Sequence, residues 1–147
     1  MTTGGPDTAD VYEETLKEDD PSKYLYDGQW RSLKTRKVTI KVKDSDPVEA
    51  PIYESHHGPI GAVQNGKAYA IKSSYFDSLD GNDAWLAFNF AKDYTGIKKG
   101  MATLQVFPQN VMVADTSGNI YYQRTGRVPK RPDGYDWSKP VDRSEER

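Results

Sequence analysis

Hydrophobic and polar positions alternate along most of this chain, then give way after residue 82 to a helical spacing. In residues 36–43, Val38, Ile40 and Val42 fall on one face, and Lys37, Thr39, Lys41 and Lys43 on the other. Period two predicts a half-buried strand whose basic face is solvated and guards an edge. Residues 10–16 alternate Val11, Glu13, Thr15 against Tyr12, Glu14, Leu16 and predict another strand. Residues 48–55 predict a third, confined to an edge or bulge by Pro51. Asp27-Gly28 joins Tyr24-Leu25-Tyr26 to Gln29-Trp30, and Asn65-Gly66 joins residues 60–63 to 67–71; both are tight hairpin turns. Residues 2–8 predict a turn-rich loop, and 17–23 a charged loop broken by Pro21.

From Asp83 onward Ala84, Phe88 and Ala91 recur at helical spacing, with Asp83 placed to cap and Gly96 to stop the chain after Tyr94. Ile97, Met101 and Leu104 share one face of a second short helix over 97–106, weakened by Gly100. Residues 109–131 then predict a hairpin: Val111, Val113 and Ala114 run up to Asp115, and Ile120, Tyr121 and Tyr122 return. Gly118 supplies positive φ at the tip, and Pro129 and Pro132 end the pairing. The sum is about eight strands and two short helices, an α+β pattern of antiparallel sheet with the helices inserted before the hairpin. The divisions are a loop and strand over 1–16, antiparallel strands over 24–76, helices over 83–106, the hairpin, and an irregular tail over 132–147, together one partial domain.

Composition narrows the function. With 147 residues, 35% hydrophobic and 29% charged, the core is modest, and ten Tyr and three Trp favour sheet. A net charge of −2 argues against a nucleic-acid partner. Cys is absent, which removes thiol and disulfide chemistry, and no apolar run is long enough for a membrane span. The first residues lack the basic and apolar regions of a signal peptide, and the last six, DRSEER, form a solvated charge cluster.

Few residues carry candidate chemistry. His56-His57, placed on a strand, would point to opposite faces and share no metal, so a structural imidazole bonded to backbone is the favoured assignment. Asp7, Ala9 and Asp10 set two carboxylates and a carbonyl in one loop, a pattern that grips a hard cation but more often caps backbone amides. Arg124, Arg127, Lys130 and Arg131 cluster at the hairpin exit, where pairing with Asp133 and Asp136 outranks guidance of an anionic substrate.

Several of these features, in order, resemble the β-subunit of the penicillin acylase family, which includes the acyl-homoserine lactone acylases. They are Asp10-Val11-Tyr12, the Asp27-Gly28 hairpin, the basic strand, His57-Gly58-Pro59, Asp80-Gly81, Ala114-Asp115 with its Gly118-Asn119-Ile120 turn, and Gly134-Tyr135-Asp136. Members of that family are N-terminal-nucleophile (Ntn) amide hydrolases, cut from a precursor. The resemblance implies a slice of an αββα sandwich, an amide hydrolase acting on a penicillin or an N-acyl homoserine lactone, and a periplasmic or secreted parent.

It further implies that the nucleophilic Ser lies upstream of this chain and the Asn of the oxyanion hole downstream, with Asn110 and Asn119 structural parts of the hairpin. Thr3 matches the backbone oxyanion donor. Met1 and Gln109 match residues lining the acyl pocket, although Gln109 is more polar than that pocket usually presents. Asp7, the Ala9 carbonyl, Asp10 and the Trp137 carbonyl match part of a calcium site; no organic cofactor is expected. The implied partners are a small-molecule amide, the α-subunit and the rest of the β-subunit, and the isolated chain is expected to be inactive. The competing expectation is a β-rich binding module without chemistry, whose tyrosines and edge strands form its contact surface.

Overall fold

A computed structural model describes residues 2–77 and 81–144. The expectations placed on Met1, Asp80 and the last three residues of the charged terminus lie outside the described residues. The strands are β1 (Thr2–Thr3), β2 (Ala9–Lys17), β3 (Asp20–Tyr26), β4 (Gln29–Ser32), β5 (Lys34–Ile40), β6 (Val48–Glu54), β7 (Ile60–Gln64), β8 (Lys67–Ser73), β9 (Gln109–Ala114), β10 (Ile120–Arg124) and β11 (Val141–Asp142). Helices α1 (Gly81–Phe90) and α2 (Tyr94–Ala102) stand together between β8 and β9. This is the expected α+β arrangement, mostly antiparallel sheet. The chain forms two compact units, one of residues 1–9 and 73–131, the other of 10–72 and 132–147.

In the second unit the strands lie in the order β4-β3-β2-β8-β7, and β11 adds parallel to β2 through Val141↔Tyr12 and Asp142↔Glu13. The turns that set this register are those the sequence marks. Asn65 and Gly66 take φ of 52° and 73°, the pair of positive values that a type I′ turn demands. The expected loop over 17–23 is shorter than its charge suggested, because β3 already begins at Asp20. Pro21 falls between the pairs Lys17↔Asp20 and Leu16↔Tyr24, where the register shifts and a missing N–H breaks no regular ladder.

Strands β5 and β6 form a two-stranded sheet, Val38 opposite Ala50 and Ile40 opposite Val48, and Glu54 at the end of β6 adds a single bridge to Pro59. Ile40 and Val48 remain 51% and 53% exposed. The half-buried face expected there is covered at Val38 and its partner Ala50, which are half-buried, but not at Ile40, since a two-stranded ribbon has little to cover its end.

The first unit packs α1 and α2 with the sheet β1-β9-β10. Ala84, Met101, Val106 and Val111 are its buried apolar core. Asp83 lies inside the first turn of α1 and does not cap it. The cap in this region is Asp93, whose Oδ1 accepts the Gly96 N–H at 2.9 Å, so Gly96 opens α2 where a stop was expected. A Cβ on Gly100 would sit 2.7 Å from the Phe88 ring, so this glycine, which weakens the helix on propensity, is what lets the ring lie against α2.

Candidate functional site: a short edge strand held by β9

β1 has two residues, so its backbone direction depends on a few contacts with β9. Thr2 lies opposite Asn110 and Thr3 opposite Gln109. Gln109 spends both backbone groups on the other side: its N–H donates to Thr125 Oγ1 at 3.0 Å, and its carbonyl accepts the Thr125 N–H at 2.8 Å. The Gly4 N–H donates to the Pro108 carbonyl at 3.0 Å. In an antiparallel ladder this makes Thr3↔Gln109 a pair without mutual hydrogen bonds. The Thr3 N–H therefore turns away from β9, on the outer side of β1, and the residue is exposed. The approach is close enough that a Cβ on Gly4 would lie 2.9 Å from the Gln109 nitrogen.

A side-chain network reinforces the same place. Asn110 Nδ2 donates to the Thr3 carbonyl at 3.1 Å and to Thr2 Oγ1 at 3.2 Å. The Tyr122 hydroxyl donates to Asn110 Oδ1 at 2.8 Å. Asn110 thus does more than shape the hairpin, and neither it nor Tyr122 stood out as chemistry in the sequence. Gln109 Oε1 is buried and has no hydrogen-bond partner among the described residues.

The residues matched to calcium are shared out, Asp7 and Ala9 in the first unit, Asp10 and Trp137 in the second. Carboxylate and carbonyl oxygens are the donors calcium takes, and four of them are fewer than its usual six to eight. Asp7 Oδ2 is also 2.9 Å from Arg131, so a cation there meets a charge already neutralised. Asp10 is buried at the start of β2, and Trp137 Nε1 donates to the Pro132 carbonyl.

The basic cluster finds partners other than those expected. Arg131 pairs with Asp7 and Arg127 with Asp77 at 3.0 Å, whereas Asp136 pairs with Lys139. The hairpin exit is tied down: the Tyr75 hydroxyl accepts the Arg127 N–H and donates to the Val106 carbonyl, and Ser74 Oγ donates to the Arg127 carbonyl.

His56-His57 occupies a bend between β6 and β7, so the opposite-faces rule for strands does not apply. The two rings lie 3.8 Å apart, and their Nδ1 atoms lie 4.0 Å and 2.8 Å from the same oxygen of fully buried Glu14. His57 Nδ1 thus has a carboxylate for its partner, where the sequence suggested backbone. Burial pushes the Glu14 carboxyl up, but hydrogen bonds from His57 and Ser55 and the charge of the two imidazoles outweigh it and hold it below the usual range. Three side chains of types that suit a metal, one carboxylate and two imidazoles, converge here. Both rings are also packed on aromatic neighbours: His57 stacks on Tyr12 at 3.7 Å, and His56 packs against Tyr24, whose hydroxyl accepts the His56 backbone N–H and lies 3.2 Å from the ring Nδ1. The cluster serves the core of the second unit.

Comparison with known proteins places this arrangement in a class. The chain aligns over 145 residues, 30% identical, with penicillin G acylase of Escherichia coli, covering 95% of this chain and 17% of that protein. It is 31% identical over 130 residues to the acyl-homoserine lactone acylase PvdQ of Pseudomonas fluorescens, again 17% of that protein. The solved thermostable penicillin G acylase from Alcaligenes faecalis superposes with a TM-score of 0.89 at 28% identity, over 98% of this chain and 27% of that one. These relatives are acylase hydrolases. The penicillin amidase family model matches residues 1–147, and the chain belongs to that family. It spans about a sixth of the curated relatives' length, 17% in each of these two.

Proposed function

We propose that this chain forms part of an Ntn amidohydrolase that cleaves a linear side-chain amide of the penicillin or N-acyl homoserine lactone type. The observation that carries this reading is the Thr3 N–H, exposed on an edge strand and turned away from its own ladder. Such a donor suits the oxygen of a scissile carbonyl, where a fixed N–H stabilises the charge that develops in the transition state. A Ser at the start of the mature subunit, outside this chain, attacks the carbonyl carbon and passes its proton to its own α-amine. The oxyanion rests on the Thr3 N–H and on an Asn side chain that is also outside this chain. Collapse expels the protonated amine, and water then releases the acyl group from the Ser. Gln109, opposite Thr3, lines the acyl side in this reading. A calcium ion held by Asp7, the Ala9 carbonyl, Asp10 and the Trp137 carbonyl, and completed by oxygens from the rest of the enzyme, belongs to the same reading.

The partners in this reading are the amide, the α-subunit and the remaining β-subunit. The exposed face of the β1-β9-β10 sheet supports it, since Met112 and Ile120, on one diagonal of the β9–β10 pair, are 74% and 86% exposed. The test is to read the coding sequence on both sides of this segment and express the whole frame. An upstream Ser at a processing junction, with release of acid from phenylacetyl or long-chain acyl amides, is the expected result. The 147-residue chain alone is expected to release none. A complete frame ending at these termini, or turnover by the isolated chain, overturns the reading.

A further inference from the structure

We propose that Asn110 is a positioning residue for the reacting centre: oriented by Tyr122, its amide holds the Thr3 carbonyl and Thr2 hydroxyl and so fixes the direction of the Thr3 N–H. The inference rests on the acylase reading above and adds to it two residues that do not themselves touch substrate.

The argument begins with how little else holds β1. A two-residue edge strand has a ladder on one side only, and Gly4 leaves it soon after, through one bond to Pro108. Thr3 spends no backbone bond on its opposite number Gln109, whose own N–H and carbonyl face Thr125. The peptide that carries the Thr3 N–H is held on its other side by one ladder bond, from the Asn110 N–H to the Thr2 carbonyl, and the next peptide by the Gly4 bond to Pro108. The Asn110 side chain adds two further holds, on the Thr2 hydroxyl before Thr3 and on the carbonyl after it. Both contacts come from one planar amide, so the two points are held in fixed relation.

The orientation of that amide is also determined. A carbonyl oxygen only accepts, so Asn110 must present nitrogen to Thr3; its oxygen is then the end that takes the Tyr122 hydroxyl as donor, which anchors the amide in that orientation. Tyr122 reaches Asn110 along a diagonal of the β9–β10 pair, since Asn110 lies opposite Arg124 and Tyr122 opposite Met112. Such diagonals are within reach of aromatic side chains. The resulting chain, Tyr122 to Asn110 to Thr3, runs across all three strands of the sheet. A donor aimed by packed hydrogen bonds needs no reorganisation when charge appears, which is what an oxyanion site requires.

The experiment uses the intact parent enzyme, its Asn110→Asp and Tyr122→Phe variants, and a phenylacetyl amide and a long-chain acyl amide as substrates. Asn110→Asp keeps the size of the side chain but turns an oxygen toward the Thr3 carbonyl. It is expected to lower kcat about 10- to 100-fold with KM changed less than about threefold, a loss confined to the transition state. Tyr122→Phe removes one exposed hydroxyl and leaves the fold intact; kcat is expected to fall several-fold in the same pattern, with inhibition by the product acid unchanged. Parallel changes in kcat and KM, or kcat within twofold of the parent in Tyr122→Phe and in any folded Asn110→Asp, overturn the proposal while the acylase reading stands. A parent that hydrolyses neither amide overturns both.

Discussion

His57 Nδ1 lies 2.8 Å from Glu14 Oε1, and both side chains are fully buried. A buried polar pair of this kind adds little over an apolar pair of the same shape, but breaking it is costly, because the surviving group loses a short buried hydrogen bond that no water replaces. Glu14→Ala and His57→Ala are each expected to destabilise the folded protein by about 3–5 kcal/mol. The double replacement of Glu14 and His57 by apolar residues should cost less than the sum of the two single changes. Denaturant titration of the four proteins checks this, and strict additivity would refute the coupling.

The same pair gives the protein an acid limit. The Glu14 carboxyl is held below its ordinary value of 4.5 in the fold. Below 4.5 the unfolded chain therefore binds a proton that the folded one resists, and stability falls with pH. The contribution is complete above 4.5 and is lost as pH drops toward the lower folded value. Glu14→Gln should flatten the pH dependence of the unfolding midpoint below that point. An unchanged slope would mean that other carboxylates set the limit.

Gly100 offers a test in which propensity and packing pull in opposite directions. Alanine in place of a helix-interior glycine ordinarily gains about 1 kcal/mol. Here the added Cβ would lie 2.7 and 2.8 Å from two carbons of the Phe88 ring and 3.3 Å from the Ala84 carbonyl. Overpacking of that kind costs about 1–3 kcal/mol, so Gly100→Ala is expected to lower stability on balance. Combining it with Phe88→Leu should recover part of the loss, which a melting curve for each variant would show.

These cases also show where the sequence was legible. Asn65-Gly66 and Asp27-Gly28 could be read directly, because positive φ at both turn positions is a local demand that few residues meet. The helix ends could not: Asp83 and Asp93 both precede apolar residues, and only the bond from the Gly96 N–H to the Asp93 carboxylate shows that Asp93 caps. β1 was taken for loop because its pairing partners are more than a hundred residues away, as the Asn110 contacts to Thr2 and Thr3 record. Glu14 escaped notice for a different reason. It lies on the face of β2 that also carries Asp10 and Tyr12, and that face is buried, while Val11 on the other face is exposed. Alternation was read correctly there, but polarity did not say which side faces inward.

Gln109 carries a prediction about substrate choice within the acylase reading. Its Oε1 is buried without a partner among the described residues, next to the proposed oxyanion donor. A buried acceptor left unsatisfied is a penalty that a donor on the bound molecule would relieve. Gln109→Leu in the parent enzyme should therefore raise kcat/KM for a plain alkyl or phenylacetyl group relative to an acyl group bearing a hydroxyl. A shift of about tenfold corresponds to one neutral hydrogen bond at about 1.4 kcal/mol. Equal changes for both acyl groups would remove Gln109 from the specificity pocket.

The calcium proposal can be separated from the rest through Asp7. Arg131 is only 17% exposed and lies 2.9 Å from the Asp7 carboxylate, so it competes with any cation for that group. If calcium binds the parent enzyme through Asp7 and Asp10, titration should give heat that Asp7→Ala and Asp10→Ala abolish. Arg131→Gln should then tighten binding several-fold, because the carboxylate is released from its guanidinium. If Asp7 serves only as the partner of Arg131, Asp7→Ala and Arg131→Gln should instead lower the unfolding midpoint by similar amounts, and calcium should change neither. An absence of calcium heat in the parent enzyme would assign Asp7 to the ion pair alone.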